Sequence, residues 1–214
     1  MQAKPRTPEE RYGPALEKAQ RDFPSLQPAE AAARAAASYE ALGAGSGRFQ
    51  VPYFGNLYYV GWPGGSAVRA SDGQDVDIAT HIILLHYLLT ADGAPMSSEW
   101  ISFRNLPGGL GYYASFQGRA SLRLSGTFGA DAQAFEAAAR ALGGERLSFG
   151  DASFMFRVLP RVWMAVVLYL ADDEFPAEAN VLFDASTEHY LPTEDAAVLG
   201  GLLAGRLVKA AQQG

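Results

Sequence analysis

The stretch VWMAVVLYLADDEFPAEANVLFD, from Val162 to Asp184, decides how the rest of the chain is read. Ten almost unbroken apolar residues, Val162 to Ala171, run straight into Asp172, Asp173 and Glu174. Such a run suits a central strand buried on both faces, because alternation is lost only when both sides of a strand leave water. Its end is a place where fixed backbone can present charged side chains. NVLFD, closing at Asp184, reads as a further short strand. On the N-terminal side, Phe154, Phe156 and Val158 alternate as a strand should, and Pro160-Arg161 turns the chain into Val162, which makes a hairpin.

The remaining elements follow from periodicity and punctuation. Pro8 to Gln20 and Pro28 to Leu42 read as helices that fill the N-terminal segment 1–44, each opening on a proline allowed in a first turn. Gly55-Asn56 and Pro63-Gly64-Gly65 cut RFQVPYFGNLYYVGWPGGSAVR into a three-stranded meander. Asp75 or Asp77 then caps the helix VDIATHIILLHYLLTA, apolar nearly all round and so expected inside, on a sheet.

Residues 92–150 form a mainly helical insert. A short WISF strand and the turn LPGGLG lead to Tyr112, Phe116, Ala120, Leu124 and Phe128, which recur every four residues. Gly118 and Gly126 weaken that helix and leave strand as its alternative. Asp131 to Leu142 is a capped helix stopped by Gly143, and Thr193-Glu194-Asp195 opens the last helix, closed by Arg206 and Lys209. The fold class is α+β, with antiparallel sheets packed by helices in a single globular domain spanning 1–214. Residues 48–91 and 154–209 share the order strand, strand, strand, helix, a candidate degenerate βββα duplication. Chance assembly of common elements is the competing explanation.

Composition sets limits on function. With 49% hydrophobic and 19% charged residues the chain can bury enough apolar surface to offset its ordering entropy. A net charge of -6 argues against a nucleic-acid partner, which calls for concentrated Lys and Arg. The absence of cysteine means that no iron–sulfur cluster, thiolate nucleophile or disulfide is held by this chain. The first thirty residues lack the apolar core of a signal peptide, and no run approaches the roughly 18 apolar residues of a membrane span. The expectation is a cytoplasmic protein with no membrane partner.

Several constellations could carry chemistry. In an extended segment Asp172 and Glu174 point to one side, and a return through EFPAEAN could bring Asp184 beside them. Three converging carboxylates would suit a divalent cation, or a general acid beside an ionised base. The plainer alternative has these acids capping turns or pairing with Arg157 or Arg161. His81 and His86 are five apart, about 140° around a helix, so one metal does not take both, although His81 shares a face with Asp77. His189 could act as a base if Asp184 orients it. The turn through Gly108 and Gly109, with Arg104 and Arg119 on either side, could hold an anion on its N–H groups, yet it lacks every phosphate-loop signature. The elbow G-x-S-x-G is missing too.

The segments IILLHYLL at Ile82 to Leu89, EWISFRNLPGG at Glu99 to Gly109, Leu159-Pro160 before the apolar strand, and DDEFPAEANVLFD with YLPTED occur in this order. This combination resembles a prokaryotic family catalogued as a domain of unknown function and common in anaerobes, over about Ala15 to Leu207. Members are sometimes joined to cysteine-rich iron–sulfur modules near corrinoid and one-carbon metabolism, and the resemblance implies an accessory or ligand-binding role. It assigns no catalytic residue.

The expected function is therefore a binding or accessory domain for a small molecule or a protein partner. Its expected site combines Asp172, Glu174 and Asp184 with Trp100, Arg104, Gly108 and Gly109. The alternative is a metal-assisted or general acid/base enzyme using the same carboxylates, as cation ligands or as acid and base, with His189 or His86. An enzyme calls for those groups in a concave pocket with shifted pKa values.

Overall fold

A computed structural model describes residues 7–213. In chain order its elements are α1 (Pro8–Asp22), α2 (Pro28–Arg34), β1 (Ser38–Gly43), β2 (Ser46–Tyr53), β3 (Asn56–Trp62), β4 (Ala67–Arg69) and α3 (Ile78–Thr90). They continue with β5 (Trp100–Ser102), α4 (Gly109–Arg119), α5 (Ser121–Phe128), α6 (Ala132–Ala141), β6 (Glu145–Arg146), β7 (Ala152–Leu159), β8 (Val162–Tyr169), β9 (Glu178–Asp184) and α7 (Thr193–Ala211). Among the described residues the strands form two antiparallel sheets, so the class is α+β. None of the described helices is long and apolar enough to cross a membrane.

The chain divides into two compact units. One comprises the polypeptide through Ala94 together with His189–Leu191; the other holds Pro95–Glu188 and everything from Pro192 onward.

In the first unit the strands run as a meander, β1-β2-β3-β4. Alternation decides its inner face: Phe49, Val51 and Tyr53 of β2 are buried, and Val60 and Tyr58 of β3 sit opposite Phe49 and Val51. The hairpins close through two-residue loops with positive φ, Ala44-Gly45 and Phe54-Gly55. Both φ values positive is the geometry that matches the right-handed strand twist. The Asp77 side chain accepts from the Thr80 N–H at 3.0 Å and starts α3, whose apolar residues from Ile82 to Leu85 are buried. Helix α1 packs along α3, and the buried Tyr87 hydroxyl donates to the Ala35 carbonyl at 2.5 Å.

The helix read over Pro28 to Leu42 ends at Arg34, and its last residues are strand β1. Ala36 adopts φ +48°, the Ala37 N–H reaches back to the Ala32 carbonyl and the Ala36 N–H to that of Ala33. This is a Schellman stop built on alanine rather than glycine. Pairing with β2 outweighs alanine's helix preference: Glu40 lies opposite Arg48, with an ion pair at 2.7 Å, and the Tyr39 ring meets Phe49 at 5.1 Å. The first meander therefore has four strands, one more than the sequence predicts.

In the second unit the strand order is β5-β9-β8-β7-β6, which puts the Val162 strand in the middle of the sheet, as its composition predicts. Phe183, Val181, Met164, Val166, Phe154 and Phe156 line one face and are all buried. Helices α5 and α6 lie on this sheet, and α7 packs against α4, α5 and α6. Phe103 stacks on Phe116 at 4.3 Å, and Phe135 meets Phe154 edge-on at 5.7 Å. The four-residue period from Phe116 to Phe128 is helical but broken at Ala120 into α4 and α5, with Phe116, Ala120, Leu124 and Phe128 buried. Each unit thus runs through a four-strand meander into a helix, and the second sheet gains β5 at its β9 edge.

Candidate functional site

The second face of the five-stranded sheet has a different character. Antiparallel partners project to the same side. The pairs Trp100↔Asp184, Ser102↔Leu182, Val167↔Asn180 and Tyr169↔Glu178 therefore place these eight residues on one face. That face is only partly covered: Trp100, Asn180 and Leu182 are half-buried, and Tyr169 is 44% exposed. Together with Phe149, which precedes β7 and is 47% exposed, they enclose a cleft of about 340 Å³ lined by Trp100, Phe149, Val167, Tyr169, Asn180 and Leu182. Val167 and Leu182 are aliphatic, three walls are aromatic rings, and one amide is present.

The amide at this cleft is ordered. Asn180 Nδ2 donates to Glu178 Oε1 at 3.1 Å, two residues along the strand. A carboxylate can only accept, so this contact orients the amide and turns Asn180 Oδ1 the other way. Phe149 is tied down at its backbone, whose N–H donates to Ser153 Oγ at 2.9 Å. Asp151 accepts from the Leu170 N–H at 2.7 Å and joins the ends of β7 and β8 next to the Phe149 and Tyr169 walls.

Across the ladder from Trp100 lies Asp184, fully buried. Its carboxylate accepts from five donors: the N–H and hydroxyl of Ser97, the N–H of Ser98, and the N–H and hydroxyl of Ser186, at 2.5 to 3.0 Å. Burial pushes this carboxyl up, but the hydrogen bonds from Ser186 and Ser97 outweigh burial and hold it below the ordinary carboxylate range. Asp184 is a buried anchor that fixes the segment entering β5, and hence Trp100.

The carboxylates that the sequence groups together are not brought together. Asp172 and Glu174 lie beyond the C-terminal end of β8, the end where Tyr169 faces Glu178; Asp184 closes β9 at the other end. Antiparallel return carries Asp184 away from Asp172 instead of back to it. Asp172 caps its own turn, its Oδ1 accepting from the Glu174 and Phe175 N–H groups at 2.8 and 2.7 Å, and these two bonds lower its pKa. Among the described residues no group of three or more His, Asp or Glu is arranged to hold a metal ion.

Arg104, Gly108 and Gly109 lie at the entry to α4. Arg104 donates to the Tyr113 hydroxyl at 2.9 Å and stands over that ring, and the Gly109 N–H is used by the Leu106 carbonyl at 2.8 Å. Gly108 supplies the positive φ of +72° that the turn requires. His189 meets Asp92 rather than Asp184: its Nδ1 lies 2.6 Å from Asp92 Oδ2, with both side chains about half exposed. His86 is half-buried on α3 in the first unit.

Of the expected site residues, Trp100 alone lines the cleft. Phe149, Val167, Tyr169, Asn180 and Leu182 were not singled out by sequence. Their signal is the period-two spacing Val167/Tyr169 and Asn180/Leu182, masked by the unbroken apolar run.

An α+β fold with a half-open aromatic cleft on one sheet face defines the class of this protein by architecture alone. The chain belongs to the family described as Domain of unknown function (DUF3786), whose model matches residues 27–206. It has no match among curated proteins and none among solved structures.

Proposed function

We propose that this chain is a binding domain for a small molecule, seated in the cleft between Trp100, Phe149 and Tyr169 on the open face of the five-stranded sheet. The observation that supports this reading is the cleft itself: aliphatic and aromatic walls with one oriented amide, an indole N–H and a phenol hydroxyl, the composition typical of a site that takes an apolar body and fixes it by a few polar contacts. Its 340 Å³ is the share of about ten water molecules, at the lower end of ligand sites, which favours a one-ring molecule. Three aromatic walls supply large contact area at low entropic cost.

The test is titration of the full chain with a panel of one-ring aromatic molecules, followed on the indole N–H resonance of Trp100, assigned by its loss in Trp100→Phe. Binders should shift that resonance. Leu182→Trp, which fills the cleft from a half-buried position, should abolish the shift while the thermal midpoint is retained. Binding that survives in Leu182→Trp would remove the cleft from consideration.

A further inference from the structure

We infer that the ligand of this cleft is an organic cation, an apolar body carrying a protonated amine or quaternary ammonium. The inference rests on reading the cleft as a binding site, and it concerns the sign of the charge recognised there.

Three features on the same face set that sign. The walls Trp100, Phe149 and Tyr169 offer ring surfaces, whose quadrupoles attract a cation within about 6 Å of a ring centre. The oriented amide presents an acceptor: with Nδ2 of Asn180 committed to Glu178, no protein donor among the described residues reaches Asn180 Oδ1, which is left to accept from an ammonium N–H, beside the Trp100 indole N–H and the Tyr169 hydroxyl as the donors of the walls. The charges at the Tyr169 end of this face are negative, whereas Arg157, on the same face, lies toward the other end of β8 opposite Trp163 and donates to the Pro160 carbonyl. Glu178 faces Tyr169 across the β8–β9 ladder and is exposed, and Asp151 stands two residues from Phe149 at the same end of the sheet.

No Lys or Arg lines the cleft. Arg146, on the edge strand β6, is held by Glu136 and sits opposite Phe154, on the helix-covered side of the sheet. An anionic ligand would meet ring faces, a carbonyl oxygen and carboxylates, with the Trp100 indole N–H and the Tyr169 hydroxyl as neutral donors but no cation lining the cleft to balance its charge. A neutral ligand would gain nothing from the negative charge of Glu178. A cation uses all three features, and half-open walls suit it because one side of the ammonium can stay hydrated.

Phenethylamine, 2-phenylethanol and phenylacetate share one aromatic body and differ in charge at neutral pH, so they separate charge from shape. Titrated into the full chain and followed on the Trp100 indole resonance, phenethylamine should bind about fivefold more tightly than 2-phenylethanol, with phenylacetate weakest. Glu178→Gln removes the charge but keeps an oxygen that can accept from Asn180 Nδ2, and should cut the amine's advantage over the alcohol, measured in the same variant, to less than about twofold. Tyr169→Ala should weaken the amine more than the alcohol. If the alcohol or the carboxylate binds as well as the amine, the charge inference is wrong while the cleft reading stands. If none of the three moves the resonance, both are wrong.

Discussion

Trp100 lies directly across the β5–β9 ladder from Asp184, so the indole that walls the cleft is set by a carboxylate that never meets solvent. Five hydrogen bonds from Ser97, Ser98 and Ser186 converge on that carboxylate, which makes it the fixed point from which the short strand β5 starts.

Removing that anchor should be costly. Asp184→Ala leaves buried N–H and hydroxyl donors without an acceptor, each a desolvation penalty, and should destabilise the protein by about 3 kcal/mol or more. Asp184→Asn keeps the shape but replaces an acceptor by a donor that faces other donors, so it should also destabilise. Urea unfolding measures both, and a loss below about 1 kcal/mol for alanine would show that the anchor is dispensable.

The same group makes stability depend on pH in a definite direction. Its folded-state pKa lies below the unfolded value of about 3.9, so the stabilisation is present in full above that value and is lost as pH falls through the folded pKa. The thermal midpoint should fall progressively below about pH 4, and more gently in Asp184→Asn. A midpoint that holds steady from pH 6 down to pH 3 would contradict this.

Asp172 should behave as a turn cap and nothing more. Asp172→Asn preserves the Oδ1 acceptor used by Glu174 and Phe175 and should leave the thermal midpoint within about 2 °C of wild type, whereas Asp172→Ala should lower it slightly. Neither change should alter cleft binding, nor should added magnesium or calcium raise the midpoint of any of the three proteins.

Ala36→Gly is expected to stabilise. The residue is exposed and sits at φ +48°, where alanine costs about 1 kcal/mol and glycine almost nothing, so a gain of about 0.5–1 kcal/mol should appear in denaturant unfolding.

Gly200→Ala is the opposite case. A Cβ there would run into the ring of Phe116, where α7 passes α4, and overpacking of that kind should cost about 1–3 kcal/mol.

What could be read from sequence was what local chemistry dictates. The Asp77 and Asp131 caps, the β7–β8 hairpin and the central place of the Val162 strand depend on neighbours within a few residues, and the structure has them. Strand β1 depends on a distant partner: nothing in EAAARAAASYEALG announces that Glu40 will find Arg48, and alanine's helix preference points the other way. The cleft is further from the letters still. Trp100, Val167 and Asn180 come from three strands, and their common face exists only once two ladders fix the register. Asp172 and Asp184 fail to converge for the same reason, since a hairpin of fixed register sets them at opposite ends of β9, which at about 3.3 Å per residue is roughly 20 Å long.

The short segment His189–Leu191 belongs to the first unit although its neighbours on both sides belong to the second. The Tyr190 ring lies 5.8 Å from that of Tyr87, its hydroxyl donates to the Ala94 carbonyl, and His189 binds Asp92. A gene cut after the codon for Ala94 would therefore not deliver two independent products: the N-terminal fragment would lack a buried tyrosine that is encoded almost a hundred codons later. Any rearrangement that inherits one unit must inherit a piece of the other, so the two are expected to pass through evolution as a single heritable block.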